Sequence, residues 1–175
     1  MSDPQYSPMQ QFKRRLYAMR NGIVADTLRR AGSPYRIIFG LNLPQLREIA
    51  ASTPGSLRGE LYADVRCRES RLVSSLLIDP ARLTTDEAAM LLSATLDTED
   101  ADLLCHAALR HLPHAESVAL FLLTPPSAPL ARYGALRLLL NILRGPLPAR
   151  LRPAVESTLS DPLTAPLATR LLESE

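Results

Sequence analysis

The sequence predicts an all-α fold. Apolar residues recur at helical spacing, no stretch alternates like a strand, and prolines and glycines fall where helices would start and stop. The periodicity is visible in Phe12, Leu16, Met19 and Ile23, in Val65, Leu72, Val73 and Leu76, and in Leu136, Leu139, Leu140 and Leu143. Pro8, Pro44, Pro80, Pro113, Pro129, Pro148 and Pro162 occupy first-turn or breaker positions, because proline has no amide to donate and its fixed φ suits a helix start. Gly22, Gly32 and Gly145 follow helical runs as stop signals.

This punctuation predicts helices over residues 8–21, 23–31, 44–51, 65–77, 85–96, 98–111, 114–122, 129–144, 148–159 and 162–173. From Asp64 onward, helix pairs recur at roughly 30 to 40 residues, the scale of HEAT and armadillo repeats. Each helix is too short to bury its apolar face alone, so stacked pairs supply the core. The expected architecture is a HEAT-like right-handed α-α solenoid of about five helical pairs, with a basic concave side formed by Leu61–Leu77 and Ala131–Leu139. A compact orthogonal bundle is the competing arrangement. At 175 residues the chain fits one domain, residues 1–175.

Composition excludes several classes. Cys67 and Cys105 belong to no CxxC or zinc-spaced set, which fits two buried thiols in a reducing compartment. The start, MSDPQYSPM, lacks a basic leader and an apolar core of signal-peptide length, and the longest uncharged run, 117–131, is broken by Pro125 and Pro126. A cytoplasmic protein without membrane contact is expected. No phosphate-binding GxxxxGK[ST] loop, GxGxxG turn, GxSxG elbow or HExxH helix occurs, so no cofactor is indicated. The spacing of Cys105, His106, His111 and His114 matches no common zinc pattern, and no metal site is expected.

The net charge of +2 conceals a segmental pattern. Residues 1–78 carry 12 basic and 6 acidic side chains, 79–116 carry 2 and 8, 117–152 carry 5 and 0, and 153–175 carry 1 and 4. Two basic zones around an acidic one suit a phosphate-gripping surface, since charge distribution sets the local field. Nineteen of the 20 basic residues are Arg, the residue for bidentate phosphate contacts. Arg66, Arg68 and Arg71 form one cationic group, and Lys13, Arg14 and Arg15 another. On helix 129–144, Tyr133, Arg137, Asn141 and Arg144 share a stripe, with Arg132 pointing elsewhere. Glu99, Asp102, His106 and Arg110 share another at spacings of three, four and four, which allows an Asp102–His106 hydrogen bond or simply complements a helix dipole.

Four segments carry a resemblance. In FGLNLPQLREIA (Phe39 to Ala50), Gly40, Pro44, Leu46 and Arg47 match a Gly-Val-x-x-Pro-x-Leu-Arg pattern. Leu61, Tyr62, Glu69 and Arg71 match a Leu-Trp, spacer, His-Glu-x-Arg pattern, with Tyr62 in place of Trp and Arg68 in place of His. TEDADLL (Thr98 to Leu104) matches a Trp-Asp-x-x-Asp segment, with Thr98 at the tryptophan, Glu99 at the first acid and Asp102 at the second. ARYGALRLL (Ala131 to Leu139) matches a later Arg-rich helix, best at Arg132.

These patterns resemble the AlkD-like DNA alkylation repair family, HEAT-like repeat DNA glycosylases. The resemblance implies double-stranded DNA, damaged or distorted, as partner, and Asp102 with Glu99 as catalytic candidates. It implies phosphate contacts from Arg68, Arg71, Arg132, Arg137 and Arg144. Tyr62 and Tyr133 are the available aromatic faces. The chain contains no tryptophan, and Thr98 cannot offer a ring to a cationic base, so weak or absent base excision is expected. The alternative is a non-enzymatic helical-repeat scaffold for protein partners, since solenoid grooves bind peptides as readily as nucleic acid.

Overall fold

A computed structural model describes residues 6–174, and among them there are eleven α-helices and no β-strand. The chain divides into two compact units at Ile78/Asp79.

The first unit holds α1 (Pro8–Met19), α2 (Gly22–Arg30), α3 (Leu43–Ala51), α4 (Arg58–Ala63) and α5 (Arg68–Leu76). Local chemistry sets the helix starts. Ser7 and Asn42 cap α1 and α3 in reciprocal capping boxes with Gln10 and Gln45, and Pro8 and Pro44 fill the first-turn positions the sequence assigned them. Gly32, at φ +85°, follows the end of α2 in the left-handed region. The core gathers Phe12 and Leu16 of α1, Leu46 and Ile49 of α3, Leu61 of α4 and Leu72 and Val73 of α5, all nearly inaccessible. Each such side chain contributes about 1.5–3 kcal/mol by leaving water.

Two expectations shift here. Residues 65–77 were expected as one helix, but α5 begins only at Arg68. Val65 and Arg66 form a turn and Cys67 is extended: Ile37 N donates to Arg66 O at 2.8 Å and Arg68 N to Ile37 O at 3.0 Å, an isolated parallel bridge between Ile37 and Cys67. The stretch before it, between the predicted helices 44–51 and 65–77 and given no helix by the sequence, is a 3₁₀ turn (Gly55–Leu57) running into α4.

The second unit holds α6 (Thr85–Ser93), α7 (Thr98–Ala107), α8 (Ala115–Leu123), α9 (Pro129–Ile142), α10 (Arg152–Glu156) and α11 (Ala165–Leu172). Helix α9 is its centre and packs against α6, α7, α8 and α11. The approach to α6 is close because position 134 is glycine: a Cβ there would collide with the Leu92 side chain. Helix α10 is shorter than the expected 148–159, because residues 148–152 form tight turns, with Leu151 N donating to Pro148 O at 2.9 Å. Among the described residues no helix is long and apolar enough to cross a membrane.

Candidate functional site

Six of the residues singled out by sequence fall into two clusters, one in each unit, and Glu99, Arg132 and Arg144 lie apart from both.

In the second unit, Asp97 caps α7 by accepting from Asp100 N at 2.9 Å, and buried Asp100 accepts from Leu96 N at 3.3 Å. One turn on, Asp102 faces α9. There Tyr133 and Arg137 stand four residues apart and therefore share a face. Tyr133 Oη donates to Asp102 Oδ1 at 3.0 Å, Arg137 Nε donates to the same oxygen at 2.7 Å, and Arg137 Nη2 donates to Tyr133 Oη at 3.0 Å. The three groups close a ring of hydrogen bonds. Asp102 and Arg137 remain partly open to solvent, with side-chain exposures of 40% and 28%, whereas Tyr133 is buried.

The electrostatics follow from that geometry. Burial pushes the Tyr133 hydroxyl above its ordinary range; the hydrogen bond from Arg137 opposes this and the charge of Asp102 adds to it. Burial works against the Arg137 charge, but the Tyr133 hydroxyl and the Asp102 carboxylate outweigh it and hold the guanidinium more firmly protonated. Below the cluster, Cys105 gives its thiol to Gly134 O at 3.3 Å, and burial, reinforced by Asp102, pushes that thiol well above its ordinary range. The sequence thus placed a catalytic candidate, an aromatic candidate and a basic candidate that meet at one point. Asp102 draws its hydrogen bonds from α9, while His106 Nδ1 lies 3.3 Å from Arg110 Nη1 in the 3₁₀ turn (Leu109–His111) that follows α7. Glu99 and Thr98 are half-buried in the first turn of α7. Arg132 is drawn to Asp161 at 3.5 Å. Arg144 is exposed and lines an open cleft of about 650 Å³ with Arg170, Glu173 and Ser174.

In the first unit, Arg68 and Arg71 differ from expectation. Both were assigned to an exposed phosphate-binding group, and both are buried, at 4% and 2% exposure. Arg68 is paired with Glu69, which is fully buried. Its carboxylate accepts from Phe39 N at 3.0 Å, Gly40 N at 2.9 Å and Leu41 N at 3.3 Å. Arg68 Nη1 donates to Glu69 Oε1 at 2.7 Å and to Leu41 O at 3.2 Å. Arg71 donates to Tyr62 O at 2.8 Å with its guanidinium 4.1 Å from the centre of the Tyr62 ring. Tyr62 therefore stacks on Arg71. The reason for the burial is the loop, not the helix: Gly40, at φ +76°, turns three successive amides toward one point, and only a carboxylate satisfies them all. A glutamate in an Arg-Glu-x-Arg run, with a glycine 29 residues earlier, was the available signal. Arg66, the third member of the group, is exposed.

The fold and these two clusters define an all-helical protein with an ion-paired Asp-Tyr-Arg site on one pair of helices. No protein family, no curated protein and no solved structure matches the chain.

Proposed function

We propose that this chain is a DNA-binding protein of the AlkD-like, HEAT-like helical-repeat kind that grips nucleic acid through its phosphates and lacks robust base-excision activity. The observation that carries the reading is the surface charge of the first unit. With Arg68, Glu69 and Arg71 inside, ten basic side chains, Lys13 and nine arginines between Arg14 and Arg66, stay at least partly exposed against Asp26, Glu48, Glu60 and Asp64. A surface of that sign draws a polyanion and releases its counterions.

Two observations on the second unit favour binding over chemistry. Asp102, at the position of the family's catalytic carboxylate, already neutralises Arg137, so its charge is shared before any cation develops on a sugar. Tyr133, the nearest aromatic, is buried with its hydroxyl engaged and presents no free face. A protein-interaction scaffold is favoured by one feature, a groove of about 400 Å³ between α6 and α8 beside exposed Met90 and Phe121.

The test is anisotropy of a labelled duplex across a salt series, run beside base release from an N-methylated duplex. The expected result is binding that weakens steeply with salt, with a slope of about −0.9 per phosphate contact, and no release above background by wild type or by Asp102→Asn. Absence of binding at low salt removes the DNA reading. Robust, Asp102-dependent release removes the loss of catalysis.

A further inference from the structure

The exposed side of α1 combines cations with an uncovered aromatic ring. Phe12 and Leu16 face the core, and the opposite side carries Lys13, Arg14 and Tyr17, with Arg20 at the helix end. Counted from Tyr17, these cations lie at minus four, minus three and plus three, so all three border it. Tyr17 is 58% exposed, an unusual position for a large ring, and it meets Phe39 in a T-shaped contact at 5.0 Å between ring centres. Arg20 folds back over the same turn and donates to Tyr17 O at 3.2 Å. Arg14 stacks 4.2 Å from the centre of the Tyr6 ring, which leaves its in-plane N–H groups pointing outward. Among the described residues no acid occurs before Asp26, so nothing on α1 neutralises this face.

We propose that this face of α1 binds unpaired nucleotides, with a base stacked on Tyr17 and the flanking phosphates held by Lys13, Arg14 and Arg20. This rests on the nucleic-acid reading above and deepens it. A ring that is more than half exposed while touching one neighbour in a T-shaped contact keeps a face open, and every base offers a π-surface to it, whereas a duplex hides those surfaces in its own stack. Cations three and four residues before the ring and three after it match the alternation of base and phosphate along a single strand. An acidic protein surface would use the same cations and have no need of the ring.

The test measures anisotropy of three labelled probes: a dT single strand, an abasic strand with the same number of phosphates, and a duplex. Tyr17→Leu keeps an apolar contact for Phe39 and removes the π-face; Tyr17→Phe keeps both. The expected result is about tenfold weaker binding of the dT strand by Tyr17→Leu, from a stacking contribution of order 1–3 kcal/mol per base, with Tyr17→Phe like wild type. Binding of the abasic strand should be the same in all three proteins. Lys13→Gln with Arg20→Gln should weaken both single strands and make the salt slope shallower by about 0.7 per lost contact. Equal binding of dT by wild type and Tyr17→Leu, or equal wild-type affinity for dT and abasic strands, overturns the stacking proposal even where duplex binding persists. Failure of all three probes to bind overturns the nucleic-acid reading itself.

Discussion

Replacing Glu69 tests the account of the first unit most directly. Glu69→Ala removes the acceptor for the amides of Phe39, Gly40 and Leu41 and the partner of Arg68, all in a site closed to water. A buried donor left without a partner costs about 1–3 kcal/mol, and breaking a buried ion pair from one side costs about 3–5 kcal/mol. These terms overlap, because the same carboxylate serves both, so a combined loss of about 4–6 kcal/mol is expected and not their sum. That is comparable with the stability of a whole domain, so the first unit should be largely unfolded. Glu69→Gln keeps the shape and one acceptor oxygen but loses the charge, and should cost about half as much. The assay is urea denaturation followed by far-UV circular dichroism together with the reactivity of Cys67, which is buried in the same unit. A loss below about 1 kcal/mol in Glu69→Ala would show that the amides are not held by this carboxylate and would refute the argument.

Two further outcomes follow from the same structure. Gly40→Ala should destabilise by more than about 1 kcal/mol, since a Cβ at φ +76° would be strained and would press on the backbone of Asn21 and Ala25, while Gly59→Ala, inside α4 with open space around it, should stabilise by about 0.5–1 kcal/mol; equal effects in paired melts would refute both assignments. In the second unit Cys105 and Tyr133 both titrate above their ordinary values, so the fold holds their protons more tightly than the unfolded chain does. Their contribution is fully present below the ordinary values of 9.0 and 10.0 and is lost as pH rises through the elevated folded values, so Cys105→Ala and Tyr133→Phe should each flatten the alkaline decline in denaturation midpoints, and an unchanged decline in both would contradict the shifts.

The helices were legible in the sequence because their signals are local. Ser7, Asn42 and Thr84 each cap through a residue three positions later, and Pro8, Pro44 and Pro129 mark first turns, so boundaries such as 8, 44, 85 and 129 could be read within a residue. Helix α4 was missed because Gly55 and Gly59 signal a linker, and tertiary packing of Leu61 overrides that propensity. The pairing of Tyr133 with Arg137 was legible from their spacing. Their bonds to Asp102, more than thirty residues away, were not, because nothing local specifies which helix α7 will meet.

Arg68 and Arg71 show the opposite failure. Charged residues are almost never buried unless paired, so two arginines read naturally as surface. Arg68 finds its partner in the neighbouring Glu69 and Arg71 in the Tyr62 carbonyl and ring, and those partners are enclosed only once the chain has folded. The segments that carry the AlkD-like resemblance most clearly, Phe39–Ala50 and Leu61–Leu77, are the two that meet at Glu69, where they maintain the fold of the first unit; of their cations, Arg68 and Arg71 are buried there while Arg47 and Arg66 stay exposed.

The contact between Gly134 and Leu92 makes two distant positions one variable. With no Cβ on α9 at that point, the leucine of α6 fills the space where a side chain would begin, and Cys105 reaches the carbonyl of the same glycine from α7. Enlarging residue 134 alone drives α6 outward, and trimming residue 92 alone leaves a void. The tolerated route runs through both at once, so variation at either position should be conditional on the other, and a repacked interface at α9 has to be chosen as a pair.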